Sequence, residues 1–125
     1  MIIIREEYRL YIVNYHLCQT MSCAIITGKT SSGDRARFLH KWKMGEDNTN
    51  ILLLSTKVAG VGMNLERAST VLFIDIPYSP QIAWQAIGRV NRRTQSAEQI
   101  DVYFLRTYAD FSAIQCTINT YLPFV

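Results

Sequence analysis

Short, uniformly apolar runs alternate along this chain with longer stretches whose apolar residues recur at helical spacing. The runs Ile2–Ile4, Ala24–Ile26 within Ser22–Thr27, Ile51–Leu54 within Asn50–Ser55, Val71–Ile74 within Ser69–Asp75, and Asp101–Leu105 predict strands. The Ile51–Leu54 core is uniform and not alternating, as expected of a strand covered on both faces. Between them, Glu6–Gln19 places Tyr8, Tyr11, Ile12 and Tyr15 at helical spacing behind acids that suit a helix start, which predicts a helix with its tyrosines packed. Gly33–Lys43 predicts a second helix that buries Ala36, Leu39 and Trp42 with Phe38, and leaves Arg35, Lys41 and Lys43 in solvent. It is entered from a turn at Thr27–Ser32 with Ser31 or Ser32 as cap.

A third helix is predicted to start at Pro80, because Ser79 can cap free N–H groups and proline suits the first helical position. Its residues Ala83, Ala86, Ile87 and Val90 fall on one stripe and require a core. Tyr108, Phe111, Ile114, Ile118 and Tyr121 predict a final amphipathic helix before Pro123. Strands alternating with helices in this way imply an α/β fold, a three-layer parallel sheet with helices on both faces. Ligands of such sheets sit beyond the carboxyl ends of the strands. With neither linkers nor repeats, residues 1–125 read as one domain, and Ile2–Ile4 begins with so little before it that a truncated first strand is expected.

Composition narrows the classes. At 125 residues and 49% hydrophobic, the chain can bury a core, and its apolar runs are strand-sized, so neither a membrane span nor a signal peptide is expected. A nuclear or cytoplasmic location follows. Cys18, Cys23 and Cys116 form no CxxC pair, and with only His16 and His40 beside them no metal set assembles. The cysteines read as reduced, partly buried side chains. The net charge of +3 is mild, but bases crowd the middle of the chain, which suits an anionic partner.

Candidate chemistry concentrates in three places. Gln85, Gly88, Arg89 and Arg92 share the outward face of the third predicted helix, and paired guanidiniums match phosphate oxygens. A solvated basic face is the plainer explanation of the same residues. After the third strand, Ser55, Thr56 and Lys57 lead into Gly60, Gly62 and Asn64, where glycines permit close backbone approach to a ligand or simply make a turn. Thr27-Gly28-Lys29-Thr30 suggests a phosphate-cradling loop, but the position five residues before the GK pair holds Cys23, and the apolar strand leaves no room.

Taken in order, four segments resemble the second RecA-like lobe of superfamily-two helicases, closest to the Swi/Snf-type chromatin-remodelling ATPases. They are Thr27–Thr30 with Arg35 and Trp42; Leu54–Leu65, similar to motif V; Val71–Pro80 with Asp75; and Gln85–Gln95, similar to motif VI. The resemblance implies that Arg89 and Arg92 are arginine fingers reaching to the phosphates of ATP, whose Mg²⁺ and phosphate cradle belong to a first RecA-like lobe supplied in cis or in trans. It implies a coupling role for Gln85 beside Gly88, and ribose or phosphate contacts for Gly60, Gly62 and Asn64. It implies contacts from Thr27, Gly28, Ser55, Thr56 and Lys57 to the backbone of duplex DNA, independent of base sequence. Asn91, Arg93, Thr94 and Ala59 depart from the family pattern.

The chain contains neither GxxxxGK[ST] nor a DEXH motif, so by itself it is not expected to hydrolyse ATP. The leading expectation is the C-terminal half of a DNA translocase. A non-catalytic helicase-lobe module that binds nucleic acid or a protein is the alternative. An RNA helicase of the DEAD-box or DEXH kind fits Val58–Leu65 and Gln95 less well.

Overall fold

The computed structural model describes residues 1–4, 7–59, 61–75, 77–105 and 114–119. Strands β1 (Ile2–Ile4), β2 (Cys23–Ile26), β3 (Ile51–Ser55), β4 (Thr70–Phe73), β5 (Gln99–Phe104) and β6 (Ile114–Asn119) form one sheet in the order β2-β3-β1-β4-β5-β6. Every pairing from β2 to β5 is parallel, and β6 is antiparallel to β5. The helices are α1 (Glu7–Leu17), α2 (Ser32–Met44), the short α3 (Thr56–Ala59) and α4 (Pro80–Val90).

Alternation along the strands divides the core. Ile3, Leu52, Leu54, Val71 and Phe73 pack on the face that carries Trp42 of α2 and Ala83, Ala86, Ile87 and Val90 of α4. Ile4 and Leu53 point to the other face, against Val13 and Leu17 of α1. Helices thus cover both faces, as the uniform strands required.

The ends of α2 show why it starts and stops where it does. Ser31 is extended, its Oγ accepts from the Asp34 N–H at 3.1 Å, and it donates to the Asp34 carboxylate at 2.6 Å. At the other end Gly45 is left-handed (φ 70°), and the Glu46 N–H closes onto the Lys41 carbonyl at 3.1 Å.

Several expectations are corrected. Tyr11 and Tyr15 are 52% and 67% exposed, and Ile12 is exposed beside them, because α1 meets the sheet through Val13 and Leu17 instead. The side chain of Tyr8 lies outside the described residues. Ala36 is exposed, Arg35 is half-buried, and Cys18 is exposed while Cys23 is half-buried. Ser79 occupies the cap position of α4 without a side-chain capping bond. Residues 114–119 of the expected final helix are a strand, which fits the alternate spacing of Ile114, Cys116 and Ile118 and the β-branched residues among them. The rest of that stretch, including Tyr108, Phe111 and Tyr121, lies outside the described residues.

Candidate phosphate and nucleic acid surfaces

At the carboxyl edge of β2 and β3, which pair in register up to Ile26 and Leu54, the next residues are Thr27 and Ser55. Thr27 is buried, and its turn is self-bonded: its N–H donates to Thr30 Oγ1 at 3.0 Å, and its Oγ1 accepts from the Lys29 N–H at 3.2 Å. Arg35 reaches back from α2, where its Nη2 donates to the Thr30 carbonyl at 3.4 Å. Ser55 is also buried, and its Oγ has no hydrogen-bond partner among the described residues. The surface on this edge is therefore made by Gly28 and Lys57, which are exposed, with Thr56 partly so.

Ser55 does not open into a loop. Thr56–Ala59 coil into α3, because Val58 and Ala59 are drawn into the core. The crossover that follows runs beside α4, back toward the amino edge where β4 begins. Here Gly62 approaches Arg89: a Cβ built on Gly62 would stand 4.0 Å from Arg89 Nη1. Three residues on, Leu65 N–H donates to the Arg89 carbonyl at 3.0 Å. Gly60 lies outside the described residues.

Helix α4 presents Gln85 to solvent, with Gly88 and Arg89 half-buried. Arg92 is not on that helix, contrary to expectation. The helix ends at Val90, with the Asn91 N–H bonded to the Ile87 carbonyl at 2.8 Å, and Arg92 stands exposed on the turn beyond. The helical period had extrapolated past a real terminus.

The seam between the crossover and this turn is bonded at three levels. Besides Leu65 to Arg89, the Thr94 hydroxyl donates to the Glu66 carboxylate, and Gln95 Nε2 donates to the Ala68 and Val90 carbonyls at 2.9 and 3.1 Å. Asn64 Oδ1 accepts from the Glu66 N–H at 3.2 Å, so this candidate ligand residue also shapes the crossover locally. The Thr94 hydrogen bond, above all, holds the Glu66 carboxyl below its ordinary value, helped by Asn64, Lys43 and Arg92 and opposed by burial. Sequence reasoning missed Glu66, since a single acid within a glycine-rich crossover has no period to reveal it. A second brace below the seam stacks the Arg67 guanidinium 5.1 Å over the Trp42 ring.

Among the described residues no group of three or more His, Cys, Asp or Glu could hold a metal, and no helix is long and apolar enough to cross a membrane.

A sheet parallel from β2 to β5 and flanked by helices on both faces, with an arginine-bearing helix sealed to a glycine-containing crossover, defines a RecA-like α/β lobe. The chain belongs to the helicase conserved C-terminal domain family, whose model matches residues 1–94, and it is a helicase C-terminal lobe of Swi/Snf type. It is 37% identical over 107 residues to the chromatin-remodeling ATPase INO80 of Gibberella zeae, across 86% of this chain and 5% of that protein. The INO80 protein of Saccharomyces cerevisiae is 34% identical over 100 residues, 80% of this chain and 6% of the relative. The C-terminal part of the Fun30 ATPase domain superposes with a TM-score of 0.76 at 29% identity, covering 83% of this chain and 33% of that one. The chain thus spans about one twentieth of the length of these curated relatives.

Proposed function

We propose that this chain is the C-terminal half-site of an ATP-dependent DNA translocase of Swi/Snf type. Arg89 and Arg92 face the phosphates of ATP held by a first RecA-like lobe, which carries the Mg²⁺. ATP supplies the phosphoryl group whose cleavage drives the motor, and the two guanidiniums of this chain balance charge on its oxygens. Gln85 lies on the outward face of α4, one turn before Arg89. Gly28, Thr56 and Lys57 meet the DNA backbone there, while buried Thr27 and Ser55 shape the turn and strand end that present them. A nuclear site of action goes with this reading, in keeping with relatives named for chromatin remodelling.

The observation that carries the reading is the approach of Arg89 to Gly62. A Cβ there would stand against the guanidinium, so glycine leaves room for an oxygen ligand on that side.

The test mixes this chain with a first lobe that contains GxxxxGK[ST] and DEXH motifs and measures DNA-stimulated ATP hydrolysis. Arg89→Ala is expected to lower the stimulated rate by roughly a thousandfold. Unchanged hydrolysis, or no stimulation by the wild-type chain, leaves a non-catalytic module that binds nucleic acid or protein.

A further inference from the structure

Because α4 ends at Val90, helix geometry does not set the direction of Arg92 relative to Arg89. Something else must hold the 91–95 turn. An exposed arginine on an untethered turn would lose much of its positional definition, and a guanidinium that meets phosphate gains from being oriented in advance. We propose that Glu66 is a positioning residue for Arg92: its carboxylate takes the Thr94 hydroxyl and so ties the turn that carries Arg92 to the crossover that carries Gly62.

The geometry is specific. Glu66 is 15% exposed, and one carboxylate oxygen accepts from Thr94 while the other faces Lys43 Nζ at 3.9 Å. Asn64 and Arg92 complete the groups that face this carboxylate, so it is met by one hydroxyl, one amide and two cations. The Gln95 N–H returns to the Arg92 carbonyl at 3.0 Å, and the Gln95 side chain is anchored on Ala68 and Val90. The residues just after Arg92 are thereby held, with Thr94 fastened to Glu66 and Gln95 fastened to Ala68 and Val90. What Arg92 is held for rests on the half-site reading; that it is held does not.

The experiment has two arms, both on the 125-residue chain. In the first, amide exchange and the Arg92 Nε–Hε resonance are followed by NMR. Thr94→Val and Glu66→Ala should each speed exchange across residues 92–95 by about tenfold and shift the Arg92 resonance, while Leu53 and Val102 in the sheet stay protected. In the wild type the Arg92 resonance should also titrate with Glu66, at a midpoint below the ordinary carboxylate value, and Glu66→Gln should remove that midpoint. A merely structural Glu66 would not place its titration on Arg92. Unchanged exchange at 92–95 in Thr94→Val, or an Arg92 resonance blind to Glu66, overturns the tether. Thr94→Val preserves charge and volume, so it reports even where Glu66→Ala fails to fold.

The second arm titrates inorganic tripolyphosphate. Removing the Glu66 charge would itself favour an anion, so this arm compares Arg92→Ala with the charge-neutral Thr94→Val. Arg92→Ala should weaken binding, and Thr94→Val should weaken it by about threefold, consistent with loss of part of one charge-assisted contact. Weakening by Arg92→Ala but not by Thr94→Val overturns the positioning role and leaves the half-site intact. No effect of Arg92→Ala, with the first arm as expected, removes Arg92 from the half-site and leaves the tether standing.

Discussion

Arg89 Nη1 stands 4.0 Å from the point where a Cβ on Gly62 would sit, and the Arg89 carbonyl accepts the Leu65 N–H at 3.0 Å. One residue of α4 is thus engaged by the crossover through both its backbone and its guanidinium. The separation is ordinary van der Waals contact, and Gly62 does not have positive φ. Gly62→Ala should therefore fold, with stability within about 1 kcal/mol of wild type. Its methyl would nevertheless narrow the space beside the guanidinium, so tripolyphosphate binding should weaken. Urea denaturation and calorimetric titration on the same sample separate the two effects, and equal binding would argue against a ligand at Gly62.

The termini of α2 should be separately measurable. Ser31→Ala removes the cap at Asp34 and should cost about 1 kcal/mol. Gly45→Ala forces a side chain into the left-handed region at φ 70° and should cost roughly 1–2 kcal/mol, although nothing lies within 4 Å of the new Cβ. A loss at Gly45 no larger than that of an exposed helix substitution would mean that the helix end relaxes.

Phe73 is fully buried and stacks on Phe104, with ring centroids 4.8 Å apart, joining β4 to β5. Phe73→Ala should destabilise the chain by about 3–5 kcal/mol, through lost transfer energy and the cavity left behind. Tyr15→Ala, which the helical spacing of α1 would rank as a comparable core change, should cost far less because Tyr15 is exposed. Parallel chemical denaturation of the two variants tests the assignment of faces.

Acid should loosen the seam and the α2 cap. The Glu66 carboxyl is lowered chiefly by the Thr94 hydrogen bond, and the Asp34 carboxyl chiefly by the Ser31 hydrogen bond, with Arg37 adding to it. A folded pKa below the unfolded one contributes stability that is present above the unfolded value and lost as pH falls through the folded value. The Glu66 contribution should therefore be complete above the ordinary glutamate value of 4.5 and the Asp34 contribution above the ordinary aspartate value of 3.8, and each should disappear as pH falls through its own lowered value. In Tm measurements against pH, Glu66→Gln and Asp34→Asn should lie below wild type near neutrality and converge with it in acid. A constant offset down to acid pH would show that charge is not the cause.

Much of the architecture was legible because strands covered on both faces are apolar along their whole length, and because α4 has one unbroken stripe from Ala83 to Val90. The ordered segments from Thr27 to Gln95 likewise carried the family, since glycines, arginines and the residues around them keep their spacing whatever the loops between them do. Periodicity failed where it had no means of reporting an end or a partner. The pattern of α1 could not say that Val13 and Leu17, and not Tyr11 and Tyr15, meet the sheet. Residues 114–119 satisfied a helical spacing and a strand alternation together, and pairing with β5 decided between them.

Local order along the chain thus determined which elements form, which apolar stripe α4 buries, and which residues resemble a phosphate-binding set. Tertiary structure alone decided that Arg89 belongs to a helix and Arg92 to a turn, and that a carboxylate twenty-six positions before Arg92 stands at that turn. The physical reason is range: propensity and period act over a few residues, whereas the bonds from Leu65, Glu66 and Ala68 to Arg89, Thr94 and Gln95 exist only once the crossover has folded back along α4.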